Sequence, residues 1–94
     1  MNLNDHDPRA GEPYVMLDET GTVIDPDHLP ELSAEELKYL HKTMVFTRII
    51  DEKAVSYQRQ GRMLTYAPNT GQEAAQVGSA YALEQKDWLV PAFR

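Results

Sequence analysis

Cysteine is absent from this sequence. That removes disulfides, thiolate metal sites and a cysteine nucleophile together, and it suits a reducing compartment. No apolar run approaches the ~18 residues of a membrane span. The opening Met1-Asn-Leu-Asn-Asp-His6 lacks the basic start and apolar core of a signal peptide. A cytoplasmic protein with no membrane contact is the expectation. No glycine-rich phosphate loop of either common type is present. The histidines His6, His28 and His41 lack metal-ligand spacing.

Positive charge is nearly missing from the first third. Residues 1–36 hold ten carboxylates against Arg9 alone, a net charge of −9, whereas residues 37–94 hold eight bases against five acids, a net +3. An acidic leader of this kind disfavours nucleic-acid binding. Its plainer reading is a solvated arm; the sharper one is a specific acidic docking segment.

What is present falls into two parts: an acidic, extended leader at 1–32 and a mostly helical part at 33–94. Pro8, Gly11 and Pro13 break up the first residues. Tyr14-Val-Met-Leu-Asp18, the turn residues Glu19-Thr-Gly21, and Thr22-Val-Ile24 suggest a small hairpin or two extended segments. Asp25-Pro-Asp-His-Leu-Pro30 reads as a linker. Ser33-Ala-Glu-Glu36 is a capping box: the Ser33 hydroxyl accepts from the Glu36 amide, and the Glu36 carboxylate reaches back. No proline or glycine follows until Gly61, which predicts a helix of roughly 26 residues, about 39 Å long. Apolar residues run around much of it: Leu37, Leu40, Met44, Val45, Phe46, Ile49, Ile50 and Ala54, interrupted by Arg48, Asp51, Glu52 and Lys53. So many apolar positions need a larger fold or a partner to cover them.

Residues 61–70 form a loop, with Met63, Leu64 and Tyr66 as candidate anchors. Thr70 is placed to cap a second helix from Gly71 to about Leu83, with Glu73 as its capping partner. Small residues (Ala74, Ala75, Gly78, Ser79, Ala80, Ala82) occupy every side of that helix, the pattern of a central helix approached closely all round. Glu84-Gln-Lys-Asp87 is a turn and Trp88-Leu-Val90 a strand-like run. A strand after such a helix suggests α/β layering on a parallel sheet, of which this chain supplies about one strand.

Strong catalytic motifs are absent. His6 and His28 read as solvated, and His41 as structural or partly exposed. Glu73 is either a cap or a carboxylate held as the anion at a helix N-terminus. Arg94, after a strand and a proline, stands either where α/β folds place phosphate-bearing ligands or simply exposed at the chain end.

Six pieces follow one another in order: Met44-Val-Phe-Thr-Arg-Ile-Ile-Asp-Glu52, Arg59-Gln-Gly-Arg62, Tyr66-Ala-Pro68, Gly71-Gln-Glu-Ala-Ala-Gln76, Ala82-Leu83 and Asp87-Trp-Leu-Val-Pro91. Together they resemble the N-terminal part of the alpha subunits of thiamine-diphosphate-dependent 2-oxoacid dehydrogenases, the bacterial pyruvate dehydrogenases most of all. The resemblance covers about residues 14–94. It implies a thiamine-diphosphate-binding α/β fold with a parallel sheet and flanking helices. It implies a beta-subunit partner in a heterotetramer, with the cofactor between the subunits. It also implies decarboxylation of a small 2-oxoacid and transfer of the acyl group to the lipoyl acyltransferase component.

A family Tyr-Arg pair that contacts the cofactor diphosphate corresponds here to Phe93 and Arg94. Arg94 keeps the donor, and Phe93 lacks the hydroxyl. Where some members carry a substrate-touching histidine, this chain has Ala67 and Pro68, and Thr65 replaces an aromatic. The family's Mg²⁺-holding Gly-Asp-Gly to Asn segment has no counterpart in these residues, so no catalytic or metal residue is assigned. The chain alone is expected to be inactive, as a cut product or a piece of a larger assembly. The alternatives are a non-catalytic helical module that pairs with a beta subunit, a branched-chain 2-oxoacid or acetoin dehydrogenase alpha subunit, and a free helical domain with an unrelated role.

Overall fold

The computed structural model describes residues 9–91. It resolves into two compact units, residues 1–31 and 32–94.

In the first unit the chain folds back on itself at Gly21, whose φ of +81° is reached cheaply only without a Cβ. Asp18 organises this turn. Its Oδ1 accepts from the Thr20 amide at 2.8 Å, the Thr20 hydroxyl at 2.6 Å and the Thr22 amide at 2.9 Å. The expected hairpin is therefore present, though reduced to one antiparallel bridge, Leu17 to Val23. The segment read as a plain linker holds a short 3₁₀ turn, Pro26–His28. Asp25 secures it by accepting the Tyr14 hydroxyl at 2.8 Å, with His28 Nδ1 also 2.8 Å away.

In the second unit α1 spans Ala34–Arg59, 26 residues. The capping box forms as its sequence predicts: the Ser33 amide donates to Glu36 Oε2 at 2.8 Å, and the Glu36 amide to Ser33 Oγ at 3.1 Å. Gly61, at φ +71°, ends the helix region, and the Arg62 amide returns to the Tyr57 carbonyl at 2.9 Å. The Arg62 guanidinium lies over the Tyr57 ring, 4.8 Å from its centroid.

Helix α2 spans Glu73–Tyr81 and packs against α1. It is shorter than the expected Gly71–Leu83. Its N-cap is Gln72, with no side-chain cap, so the capping role assigned to Thr70 is not realised. Both groups of the expected cap are engaged elsewhere, as the site geometry below makes plain. At the other end the Tyr81 hydroxyl donates to Glu36 Oε1 at 2.6 Å, tying the end of α2 to the start of α1.

Among the described residues there is no strand beyond the isolated bridge. Trp88, Leu89 and Val90 lie outside any helix or strand, and Trp88 is 92% exposed. A strand needs a neighbour to satisfy its backbone groups, and no such neighbour lies among these residues. The described chain is thus helical, and the parallel sheet is not formed within it. The expected turn before this run is present: the Glu84 amide donates to Asp87 Oδ2 at 2.8 Å and the Asp87 amide to the Glu84 carbonyl at 2.9 Å.

The apolar core is small. Leu40 and Ala54 are its buried members, while Tyr39, Val45, Phe46, Ile49 and Ile50 stay exposed on α1. The small residues of α2, from Ala74 to Ala80, and Ala82 after it are exposed too.

Candidate functional site

Polar residues tie α1, the following loop and α2 together. Arg48 and Asp51 stand three residues apart on α1, on one side of the helix. Asp51 is 3% exposed. Its carboxylate takes three donors from the loop. The Tyr66 hydroxyl at 2.6 Å and the Asn69 amide at 2.9 Å reach Oδ1, and the Thr70 hydroxyl at 2.7 Å reaches Oδ2. A buried carboxylate is costly unless its lone pairs are filled, and here they are filled by one short segment.

Asn69 carries the connection onward. Its side-chain amide donates to the Ala67 carbonyl at 3.4 Å, its carbonyl accepts the Gln72 amide at 3.0 Å, and Gln76 Nε2 donates to Asn69 Oδ1 at 3.3 Å. Gly71, at φ +89°, turns the chain into α2. Its amide donates to Glu73 Oε2 at 3.0 Å. Arg48 Nε donates to the other oxygen, Glu73 Oε1, so α1 and the first turn of α2 share an ion pair.

The electrostatics follow from these contacts. Hydrogen bonding from the Tyr66 hydroxyl, then the Asn69 amide and Thr70 hydroxyl, holds the Asp51 carboxyl below the usual carboxylate range. The same bond pushes the Tyr66 phenol up. The Arg48 guanidinium beside Glu73 lowers that carboxyl to about 2. Glu73 is therefore the anion its position at a helix start suggested, paired with Arg48 and accepting the Gly71 amide.

Several expectations change accordingly. Tyr66 is an anchor as expected, whereas Met63 and Leu64 are exposed. His41 is exposed on the rim of a shallow cleft lined also by Met44, Arg48, Gly71 and Glu73. Asp51 escaped the sequence reading, where it counted only as an interruption of the apolar face. The available signal was a carboxylate placed between the apolar positions Ile50 and Ala54. Phe93 and Arg94, the expected diphosphate contacts, lie outside the described residues. No group of three His, Asp or Glu side chains among the described residues is arranged to hold a metal ion. The oxygens of Asp51 and Glu73 are already engaged by internal donors, so neither carboxylate fits Mg²⁺.

The sequence that builds this loop and its two helices matches a known family. The family model described as "Dehydrogenase E1 component" matches residues 41–94. The chain belongs to that family. It is similar to the protein named "Pyruvate dehydrogenase E1 component subunit alpha" from Staphylococcus aureus strain Mu50, with 48% identity over 79 residues. The protein of the same name from Staphylococcus epidermidis strain ATCC 12228 matches to the same degree. Each alignment covers 84% of this chain and 21% of the relative. The chain thus spans about a fifth of the length of the curated relatives it matches.

Proposed function

We propose that this chain is the N-terminal segment of a pyruvate dehydrogenase alpha subunit. With a beta subunit, the whole protein decarboxylates pyruvate on thiamine diphosphate and hands the acetyl group to a lipoyl carrier on the acyltransferase component. One observation carries the reading: the ordered motifs are also physical partners. Arg48 and Asp51 of the first motif grip Glu73 of Gly71-Gln-Glu73 and Tyr66 of Tyr66-Ala-Pro68. The pieces are thus parts of one device.

In this reading the helices described here flank the parallel sheet of a thiamine-diphosphate fold, and Trp88–Val90 becomes its first strand when neighbours are present. Arg94 donates to the cofactor diphosphate beside Phe93, and Mg²⁺ is held by residues outside this segment. The Tyr66–Gly71 loop faces the 2-oxoacid through Ala67 and Pro68. The segment alone is inactive, and the assembly works in the cytoplasm.

The test is co-expression of the full-length chain carrying this segment with its beta subunit. Pyruvate-dependent reduction of an artificial electron acceptor is then followed with and without thiamine diphosphate and Mg²⁺. Activity that requires both, and prefers pyruvate to branched-chain 2-oxoacids and acetoin, is expected. Cofactor-independent activity, or none, overturns the reading.

A non-catalytic helical module is the second reading, favoured by the exposed apolar residues of α1. It requires the 94-residue chain to bind a beta subunit stably by itself.

A further inference from the structure

Of the loop between the helices, residues 66, 69, 70 and 71 each hold a tether to a carboxylate, three of them to Asp51. Ala67 and Pro68 lie between these tethers. Neither has a polar side chain, and Pro68 has no amide hydrogen to bond. Their placement is therefore fixed from both sides, by Tyr66 before them and by Asn69 and Thr70 after them. Asp51 is the common acceptor for both sides.

We infer that Asp51 is a positioning residue: it sets where Ala67 and Pro68 stand and so shapes the wall these two residues offer to the acyl chain of a 2-oxoacid. This rests on the proposed function, in which the loop faces that substrate. The geometry adds three points. The carboxylate is nearly fully buried, so the donors do not exchange freely with water. One oxygen, Oδ1, accepts from both sides of Ala67-Pro68, from the Tyr66 hydroxyl and the Asn69 amide, and Oδ2 adds the Thr70 hydroxyl. The bonds span 15, 18 and 19 residues of sequence, so the loop is fixed to α1 rather than merely folded on itself. Asp51 touches no reacting group; it acts through the loop.

The test uses the full-length chain with its beta subunit. Asp51→Asn keeps the size but presents amide donors towards hydroxyls that need acceptors. Tyr66→Phe and Thr70→Val each remove one donor and leave the carboxylate intact. Ser33→Ala is the control, since it weakens the start of α1 far from the loop in sequence. Steady-state kinetics are measured with pyruvate and 2-oxobutanoate, alongside melting temperature and thiamine diphosphate affinity.

The expected result is a rise of roughly fivefold or more in KM for pyruvate, with a changed pyruvate to 2-oxobutanoate preference. Cofactor affinity stays near wild type in the loop variants, and Ser33→Ala lowers the melting temperature without moving KM or preference. Loop variants that lose only melting temperature or yield, with KM and preference unchanged, overturn the inference. If Asp51→Asn does not fold, Tyr66→Phe and Thr70→Val decide by the same readings. An active wild type with unaltered variants sinks this inference alone; an inactive wild type sinks the proposed function and this with it.

Discussion

Arg48 and Glu73 stand 25 residues apart in sequence, and the guanidinium Nε of one donates to the carboxylate of the other. Glu73 is 7% exposed, while the Arg48 side chain keeps 44% of its surface in solvent. The pair therefore fixes the start of α2 from a carboxylate that is shielded and a cation that is not.

The pair makes stability depend on pH in a set direction. The Glu73 carboxyl is lowered from 4.5 to about 2, with Arg48 as the main cause. A group whose folded pKa is depressed stabilises above its unfolded pKa and loses that contribution as pH falls towards the folded value. Contact between α1 and α2 should therefore weaken between about pH 4.5 and 2. Carboxyl titration of Glu73 by nuclear magnetic resonance checks this, and a midpoint near 4.5 would sink it. Glu73→Gln should remove the acid dependence assigned to this residue.

Removing the cap of α1 should cost a definite amount. The Ser33 hydroxyl accepts from the Glu36 amide at an exposed helix start. Ser33→Ala should destabilise by about 1 kcal/mol, and Ser33→Asp should restore most of it. Urea unfolding followed by circular dichroism measures both. Equal midpoints for wild type and Ser33→Ala would show that the box contributes nothing.

Gly71 tests backbone strain separated from packing. Its φ is +89°, yet an added Cβ meets nothing within 4 Å. Gly71→Ala should cost about 1–2 kcal/mol through conformation alone. It should also disturb the Gly71 amide bond to Glu73, visible as faster hydrogen exchange at that amide. Unchanged exchange together with unchanged stability would refute the argument.

The exposed apolar side of α1 predicts how the 94-residue chain behaves alone. Tyr39, Phe46, Ile50 and Tyr57 recur along it at helical spacing, and Phe46 is 62% exposed. Such a surface favours association, while a core with so few buried apolar residues gives little cooperativity. Sedimentation should show self-association that Phe46→Glu with Ile50→Glu reduces. A monomer with a sharp two-state urea transition would contradict both expectations.

Much of this was legible in the sequence because it is local. The capping box joins residues three apart, and the uninterrupted run from Ser33 to Gly61 leaves a helix as the natural outcome. The turn at Thr20-Gly21 likewise follows from residues that bond their own backbone. The start of α2 lies later than spacing suggests, because Thr70 and Glu73 do not cap one another. Their real partners, Asp51 and Arg48, lie 19 and 25 residues away.

The sequence by itself determined where α1 begins and ends, that the leader is acidic, and which ordered motifs place the chain in its family. Each of these depends on composition or on neighbours a few residues apart. Only the tertiary structure decided that Asp51 is buried under the loop, that Thr70 serves it instead of a helix cap, and that Glu73 pairs with Arg48. A carboxylate in a helical run looks the same whether it meets water or three donors. The difference arises when the chain leaves α1 at Gly61 and the loop that follows brings distant donors within reach.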